Sequence, residues 1–590
     1  MSHTVQSTVC GRPRLLVTGL LMLTFALALT SAVQKSPTMD EQNHIARGAA
    51  YLGTGDPRLS VEHPPLVNLL SALPAHLLLD LRLPLDTFFW EVGEWYQFAD
   101  LFLWKTNPNA DQIVFLARLP IIGLGLILVS LVFRWADARF GPWGGLLAAA
   151  FLALDPNFLA HTRLSTTDIG GTCFVFLAAY ALWRAARHPS WLRTVGSGLT
   201  LGLALSSKLS NLLFGPIFGL ALIGDALVIR DAQPPHGCRR RYLARAGRNL
   251  ATLALAAILG LLIVWATYSF QVGRLSENGA LLPAPLYLKG ISAILDFTTG
   301  GRPAYLFGRY SHQGWWTYFP VAFAVKTPLA TLAALLLATG VALRRSNTRG
   351  GEGASASPEA ARPRRARAAP DAVADDIVLL IPPIAYFLVV TTSSLNIGYR
   401  HLLPMLPFLA VHVGRLGQPA VQPASQPAVP FTRLARSFLP AVLILWLTLA
   451  TVCIYPHFLA FFNPIGGGPE EGWRILADSN VDWGQDLKEL KAWMEQEGVE
   501  RIRLSWFGSA RPEHYGINFD LLPGVPHGGL MCEHPQFDPD QPEPGLYVIS
   551  VSNLVGVSLC DPDLYAWFRA RPPDAKVGYS LFVYEVSADG

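Results

Sequence analysis

Two short motifs near the N-terminus carry side chains suited to proton transfer. Asp40 and Glu41 place two carboxylates side by side, and the motif Glu62-His63-Pro64-Pro65 follows 21 residues after Glu41. Because the two prolines fix their own φ angles and force His63 to be extended, we expect Glu62 and His63 to lie on a rigid turn before an apolar helix over 66–79. The competing explanation for Asp40 and Glu41 is ordinary solvated charge.

The composition indicates the setting of these motifs. The chain has 590 residues, of which 51% are hydrophobic and only 15% are charged, against roughly a quarter charged in soluble proteins. This balance excludes a soluble enzyme, and six cysteines are too few for a disulfide framework. A net charge of +4 does not indicate nucleic-acid binding. We therefore expect a membrane protein surrounded by membrane lipids.

Apolar runs predict an α-helical polytopic membrane protein with about 11 transmembrane helices. The helix over 66–79 is too short to span and is expected at the interface. A cleaved signal peptide is the alternative explanation for the first run. The predicted spans lie near 14–33, 112–134, 143–160, 169–187, 195–208, 210–229, 249–270, 315–343, 376–393, 401–416 and 437–461.

The basic residues orient these spans. Arginines collect in segments such as 239–248 and 344–367, whereas acidic residues outnumber basic ones in the loop 34–111. Because cytoplasmic loops collect Lys and Arg, this pattern places the N-terminus inside and the loop 34–111 outside the cytoplasmic membrane. The stretch 346–375 is predicted to be a disordered cytoplasmic linker.

The hydrophilic region after the last span is predicted to be a separate unit. Residues 1–462 form the membrane domain in this division, and 463–590 form a small extracytoplasmic α/β domain. Its pattern predicts a helix over 484–497 and strands over 501–507, 545–552 and 579–586.

Taken together, the motifs resemble those of a known family. They look like the signature of the protein O-mannosyltransferases and their bacterial relatives, including the lipid A aminoarabinose transferases. These are integral-membrane glycosyltransferases of the GT-C type that use polyprenyl-phosphate sugars. Two departures, Val67-Asn68 after the His-Pro-Pro-Leu motif and the lack of a β-trefoil insertion, favour the bacterial relatives. The matching segments are Asp40-Glu41, Tyr51 with Gly53, His63–Leu66, Arg163–Asp168, Ser206–Lys208, Tyr399–Pro404 and Asp478–Asp486.

The resemblance implies roles for particular residues. Asp40 is expected to be the catalytic base, with Glu41 as the second candidate, in a single displacement that inverts the sugar carbon. Arg163, Lys208 and Arg400 are expected to hold the donor phosphate; the alternative for each is a basic side chain that merely reaches the membrane surface.

Other side chains are expected to contact the donor or another substrate. Lys326 lies within an apolar run, so it must be paired or line a cavity. Asp168 is either a helix cap or part of the active site. The remaining expected contacts are Glu62, His63 and His401.

Two patterns have competing explanations. A divalent metal held by Glu62 with His161, His312 or His401 is a lesser alternative, since no spacing of the HExxH type is present and some relatives in the resembled family work without a metal. Asp478, Asp482 and Asp486 recur every four residues, a pattern typical of a solvated helix face or a cap.

The function predicted from these features is transfer of mannose or a similar sugar from a polyprenyl-phosphate donor to an extracytoplasmic protein or lipid. The alternative is a transporter or binding protein for a lipid-linked sugar. We disfavour it because the polar motifs cluster at one face and no internal repeat is visible.

Overall fold

The computed structural model describes residues 2–228, 238–351, 369–418, 430–525 and 537–587. The first helix is α1 (Ser2–Gln34), and the loop that follows it contains four short helices. These are α2 (Glu41–Thr54), α3 (Pro65–Leu78), α4 (Phe88–Val92) and α5 (Trp95–Asp100), followed by a π-helical turn over Leu101–Thr106.

The middle of the chain is a series of apolar helices interrupted by two small hairpins. The helices are α6 (Ala110–Phe140), α7 (Pro142–Ala153), α8 (Pro156–Thr162), α9 (Thr167–Arg187), α10 (Trp191–Leu205), α11 (Phe214–Leu227) and α12 (Cys238–Thr267). Strands β1 (Val272–Arg274) and β2 (Leu281–Pro283) pair antiparallel, α13 (Pro285–Gly300) follows, and β3 (Ala304–Leu306) pairs antiparallel with β4 (Arg309–Ser311). The series ends with α14 (Tyr318–Lys326), α15 (Leu329–Gly351), α16 (Ala369–Thr391), α17 (Leu406–Val413) and α18 (Pro430–Ile454).

The predicted polytopic helical fold is confirmed, although the span count differs. Among the described residues, six helices are long and apolar enough to cross a membrane, or up to eight if each of two bent pairs is one span. The α7–α8 pair bends by 67° and the α14–α15 pair by 104°. Both breaks precede a proline, Pro156 or Pro328, which disfavours helical backbone at the residue before it. The other predicted spans fall on α10, on α17 and on the apolar part of α18, Phe438–Ile454, which are shorter.

The linker predicted over 346–375 is shorter than expected at both ends. Helix α15 continues to Gly351 and α16 begins at Ala369. Residues 352–368 lie outside the described residues, so the prediction of disorder is not tested there.

The loop helices α2 and α3 pack closely together. Pro65 occupies the first turn of α3, where a missing N–H costs nothing. A Cβ on Gly48 would lie 2.1 Å from the Asn68 carbonyl oxygen, so only glycine permits this approach of α2 to α3. Helix α2 ends at Thr54, and the next residue, Gly55, has a φ of 72° that suits a glycine C-cap.

The C-terminal region is an α/β unit, as the sequence predicts. Its helices are α19 (Gly468–Glu471), α20 (Leu487–Glu497), α21 (Val551–Leu554) and α22 (Ala566–Arg569). Its strands are β5 (Ile502–Ser505), β6 (Phe519–Leu521), β7 (Gly545–Ser550), β8 (Ala575–Val577) and β9 (Leu581–Val586), in the order β6-β5-β7-β9-β8. Strand β5 is parallel to β6 and β7, whereas β9 is antiparallel to β7 and β8.

Candidate active site

Asp40 and Arg400 form an ion pair that is partly exposed to solvent. Arg400 Nη1 donates to Asp40 Oδ2 over 2.9 Å, and the Asp40 side chain is 31% exposed. The Arg400 guanidinium also stacks on Trp483, with its carbon 4.3 Å from the ring centroid. Although Asp40 directly precedes α2, its side chain makes no capping hydrogen bond. The second carboxylate oxygen, Oδ1, is therefore not engaged by the helix it precedes.

Unlike Asp40, Glu41 is buried and paired with an internal arginine, which argues against the prediction of Glu41 as the second candidate base. It is fully buried, and Arg118 Nε and Nη2 donate to its two oxygens over 2.8 and 2.7 Å. The backbone N–H groups of Thr38 and Ser165 also donate to it. Burial raises the pKa of Glu41, but the Arg118 charge and these hydrogen bonds outweigh burial and bring that pKa below its usual value. Glu41 therefore fixes the loop and is not available to a substrate.

A strap of backbone, residues 35–39, holds Asp40 against the C-terminal unit. The Ser36 N–H donates to the Gln485 carbonyl and the Met39 N–H to the Trp483 carbonyl, over 3.0 and 2.8 Å. Arg118 donates to the carbonyl of Ser36 as well. The strap is therefore held by hydrogen bonds to the C-terminal unit and to Arg118. These bonds fix the position of the next residue, Asp40.

Lys35 anchors the start of this strap. Its ammonium group lies 2.6 Å from Asp486 Oδ1, 2.7 Å from Glu489 Oε2 and 2.7 Å from His457 Nδ1, and the side chain is only 1% exposed. Among the described residues, His457, Asp486 and Glu489 are the one group with the spacing of metal ligands. The ammonium already uses those ligand atoms. The predicted alternative set, Glu62 with His161, His312 or His401, does not form such a group.

The second motif, Glu62-His63, lies beside a buried arginine and a buried histidine. Arg47 Nη2 lies 3.4 Å from Glu62 Oε2, and the rings of His44 and His63 meet edge to face at 4.8 Å. Burial, reinforced by the Arg47 charge, lowers the pKa of His44 to about 4. Burial and the nearby His44 and Arg47 likewise hold the pKa of His63 well below its usual value. Both imidazoles are neutral at physiological pH, so their nitrogens serve as hydrogen-bonding groups.

Asp168 and Lys208 form a second ion pair near the first. Lys208 Nζ donates to Asp168 Oδ1, and Asp168 is almost completely buried whereas Lys208 is 17% exposed. The Leu66 N–H donates to the Ser206 carbonyl, which joins the first loop to the segment carrying Lys208. Arg400 interacts electrostatically with Asp168 as well as with Asp40. Asp168 is therefore paired with Lys208, and it does not act as a side-chain cap of α9.

Arg163 and Lys326 belong to neither the Asp40–Arg400 pair nor the Asp168–Lys208 pair. Arg163 is fully buried, and none of its three guanidinium nitrogens has a hydrogen-bond partner among the described residues. Its charged neighbours are Arg118, Glu41 and Asp486, behind the strap. Lys326 Nζ donates to the carbonyl oxygens of Leu459 and Asn480 and lies over the Phe462 ring. Lys326 is thus satisfied by the backbone, which argues against its predicted contact with the donor phosphate.

His401 lies next to Arg400, at the edge of the same cluster. Its ring meets Phe319 edge to face at 6.2 Å, and Nε2 is buried without a hydrogen-bond partner in the described part of the chain. It interacts electrostatically with Lys208, Arg400 and Asp168. The cluster formed by Asp40, Glu62, His63, Asp168, Lys208, Arg400 and His401 is called the motif cluster below.

The aspartates at 478, 482 and 486 do not form a solvated helix face. Asp482 is fully buried and accepts from the Ser550 hydroxyl and the Ser552 N–H over 2.6 and 2.9 Å. Burial raises the pKa of Asp482 to about 7. Asp486 is equally buried on Lys35. These carboxylates fasten the C-terminal unit, a role that spacing alone does not reveal.

Several residues that build the site were not predicted. Arg118, Lys35 and Trp483 all hold the strap or Arg400. Arg118 lies within a long apolar run, and an ionisable residue in such a run marks a buried partner. That signal was available in the sequence; the partner of Lys35 was not, because 451 positions separate it from Asp486.

One known protein-family model matches part of the chain. The family model for dolichyl-phosphate-mannose-protein mannosyltransferase matches residues 111–235, less than half of the chain. The matched segment includes Arg118, Arg163, Asp168 and Lys208, and it bears out the resemblance predicted from the motifs. No curated protein matches the chain.

Two solved structures are similar to this chain along much of its length. One is ArnT from Cupriavidus metallidurans bound to undecaprenyl phosphate, at 13% identity and a TM-score of 0.44, covering 97% of this chain and 98% of that one. The other is the archaeal oligosaccharyltransferase AglB from Archaeoglobus fulgidus in complex with an inhibitory peptide and a dolichol-phosphate, at 12% identity and a TM-score of 0.40. The second match covers 74% of this chain and 55% of AglB.

Proposed function

We propose that this protein is a membrane glycosyltransferase that moves a sugar from a polyprenyl-phosphate donor to an acceptor on the extracytoplasmic side of the cytoplasmic membrane. The observation that carries the proposal is the partly exposed Asp40–Arg400 pair, a base and an anion-binding cation in direct contact. The family-model match over residues 111–235 supports the same class of reaction. The sugar is mannose or a similar pyranose, and the acceptor is a protein or a lipid.

Asp40 and Arg400 have different roles in the proposed reaction. Asp40 accepts the proton of an acceptor hydroxyl or amine while the acceptor atom forms a bond to C1 of the sugar. The bond from C1 to the phosphate oxygen breaks, and the lipid phosphate leaves with the electron pair. Because the acceptor attacks C1 from the face opposite the departing phosphate in a single displacement, the configuration at C1 inverts.

Cations are needed where the phosphate gains charge. Arg400 presents a planar fork of donors that matches phosphate oxygens. Lys208, partly exposed beside Asp168, supplies a second positive charge to the same cluster. When Arg400 turns from Asp40 to the donor phosphate, the Asp40 carboxylate loses its counter-charge and becomes a stronger base. Donor binding thus activates the base.

The experiment is a transfer assay in membranes with a synthetic polyprenyl-phosphate mannose donor and extracted proteins and lipids. We expect the wild-type chain to produce a glycosylated acceptor and Asp40→Asn to lose transfer while its yield in membranes is unchanged. A matched control is Asp56→Asn, which removes a partly exposed carboxylate of the same loop that pairs with Arg58. Full transfer by Asp40→Asn would exclude Asp40 as the base. Movement of labelled donor across the membrane without transfer would favour a transporter.

A further inference from the structure

Asn480 joins the C-terminal region to the loop that carries Arg400. Its side chain is fully buried. Oδ1 accepts from the Tyr399 N–H over 2.9 Å, and Nδ2 donates to the Tyr318 hydroxyl and the Ala477 carbonyl over 3.0 and 2.8 Å. An uncharged amide offers an acceptor and two donors at once, and here all three are used. The acceptor is bonded to the residue directly before Arg400.

Asn480 is itself held from helix α14. Lys326 Nζ donates to the carbonyl oxygen of Asn480 as well as to that of Leu459. Tyr318, whose hydroxyl accepts from the Asn480 amide, is the first residue of the same helix. Two polar contacts from α14 therefore fix both the backbone and the side chain of Asn480. The buried Lys326, which was expected at the donor phosphate, instead supports the residue that reaches the Arg400 loop.

Two other residues close to Asn480 in the sequence hold the same loop. The Ser479 hydroxyl donates to the Ile397 carbonyl over 2.6 Å. Trp483 lies against the Arg400 guanidinium, whose carbon is 4.3 Å from the ring centroid. The loop is therefore held along its backbone and at the tip of its arginine by one short stretch of the C-terminal region.

We propose that Asn480 is a positioning residue that fixes the backbone of the Arg400 loop, so that the guanidinium reaches both Asp40 and a donor phosphate. The inference rests on the proposed function. Because the loop backbone is fixed, the guanidinium can exchange one anion for the other by rotation of its side chain alone. A preorganised cation loses less conformational freedom when it binds phosphate. The C-terminal region thus strengthens donor binding through Asn480, which does not itself touch the donor.

The test is binding of undecaprenyl phosphate to the purified full-length protein, compared among wild type, Asn480→Ala, Arg400→Ala and the double variant. Asn480→Ala leaves the Tyr399 N–H buried without its acceptor, and we expect lipid binding to weaken about tenfold. Arg400→Ala should weaken binding at least as much. Because Asn480 acts through Arg400, the double variant should match Arg400→Ala within about twofold.

The double variant separates positioning from a merely structural role. Independent losses multiply, so a double variant that binds the lipid about tenfold more weakly than Arg400→Ala would overturn the inference. Wild-type affinity in Asn480→Ala would overturn it as well.

The matched control is Asn107→Ala. Asn107 is also buried, accepts from the Arg82 N–H over 3.0 Å and donates to the carbonyls of Arg82 and Phe102 over 2.9 and 2.8 Å. These bonds all lie within the loop after α1. The control should therefore lower the thermal midpoint in detergent and leave lipid binding unchanged.

Ser479→Ala provides a milder change if Asn480→Ala folds poorly. It removes only the hydroxyl that donates to the Ile397 carbonyl. We expect lipid binding to weaken about threefold in the wild-type background and to stay unchanged in the Arg400→Ala background. An equal loss in both backgrounds would show that the segment does not act through Arg400 and would overturn the inference.

Transfer assays on the same variants distinguish this inference from the proposed function. If wild type binds the lipid without transferring sugar and the double-variant result holds, the proposed reaction fails and the positioning role stands. If wild type transfers sugar and Asn480→Ala keeps wild-type lipid binding, the inference about Asn480 fails alone.

Discussion

Arg400 Nη1 lies 2.9 Å from Asp40 Oδ2, although 360 positions separate the two residues. The contact joins the first loop to the loop before α17, and Trp483 of the C-terminal region stacks on the same guanidinium. Three distant parts of the chain therefore meet at one ion pair. Asp40 is the most exposed of the three carboxylates of the motif cluster, at 31% against 25% for Glu62 and 3% for Asp168.

Replacing Arg400 by lysine tests the geometry of this pair. Arg400→Lys keeps the charge but loses the planar fork and the stacking on Trp483. We expect the KM for the polyprenyl-phosphate donor to rise roughly tenfold, the cost of one good charge-assisted contact, with little change in thermal stability. Steady-state transfer kinetics provide the measurement. Arg302→Lys, a change at an exposed arginine, is the matched control, and an unchanged donor KM in Arg400→Lys would contradict the assignment.

Glu41→Gln should act on stability rather than on chemistry. The change leaves the buried Arg118 without its counter-ion, which costs about 3–5 kcal/mol. We expect a lower thermal midpoint in detergent and poor yield. Removing both charges, in Glu41→Gln with Arg118→Met, should recover part of the loss because no uncompensated charge remains. Normal stability of Glu41→Gln would show that the pair does not hold the loop.

Lys35→Met should loosen the attachment of the C-terminal unit. The substitution leaves Asp486 buried without a cation, again at about 3–5 kcal/mol. Limited proteolysis should then release a C-terminal fragment that wild type protects. Lys491→Met is the control, because its pair with Glu495 is exposed and worth only about 0.3–0.5 kcal/mol. Equal protection of Lys35→Met and wild type would argue against an anchor at this position.

His44 predicts the direction of a pH effect on stability. Its pKa is about 4 in the folded protein and 6.5 when unperturbed, so the unfolded chain binds the extra proton in that interval. Stability should therefore fall as pH decreases from 6.5 toward 4. The contribution of Glu41, whose folded pKa lies below 4.5, is lost only at lower pH. Thermal midpoints of wild type and His44→Gln across this range are the measurement, and the variant should show a shallower decline.

The local elements were accessible from the sequence because they depend on short-range patterns. The helix predicted over 484–497 is α20, Leu487–Glu497, and the three predicted strands are β5, β7 and β9. The helix predicted over 66–79 is α3, Pro65–Leu78. The breaks at Pro156 and Pro328 were missed because apolar composition continues through them, and composition does not report a bend.

The sequence by itself determined that the chain is a helical membrane protein and that its motifs resemble those of polyprenyl-phosphate glycosyltransferases, and it predicted Asp40 as the leading candidate base. Only the tertiary structure distinguished Asp40 from the neighbouring carboxylate, Glu41. Asp40 and Glu41 are adjacent carboxylates, yet Asp40 is 31% exposed and paired with Arg400, whereas Glu41 is fully buried and paired with Arg118. Burial and charge partners arise from packing between distant segments, and for that reason they decide which of two identical functional groups meets a substrate.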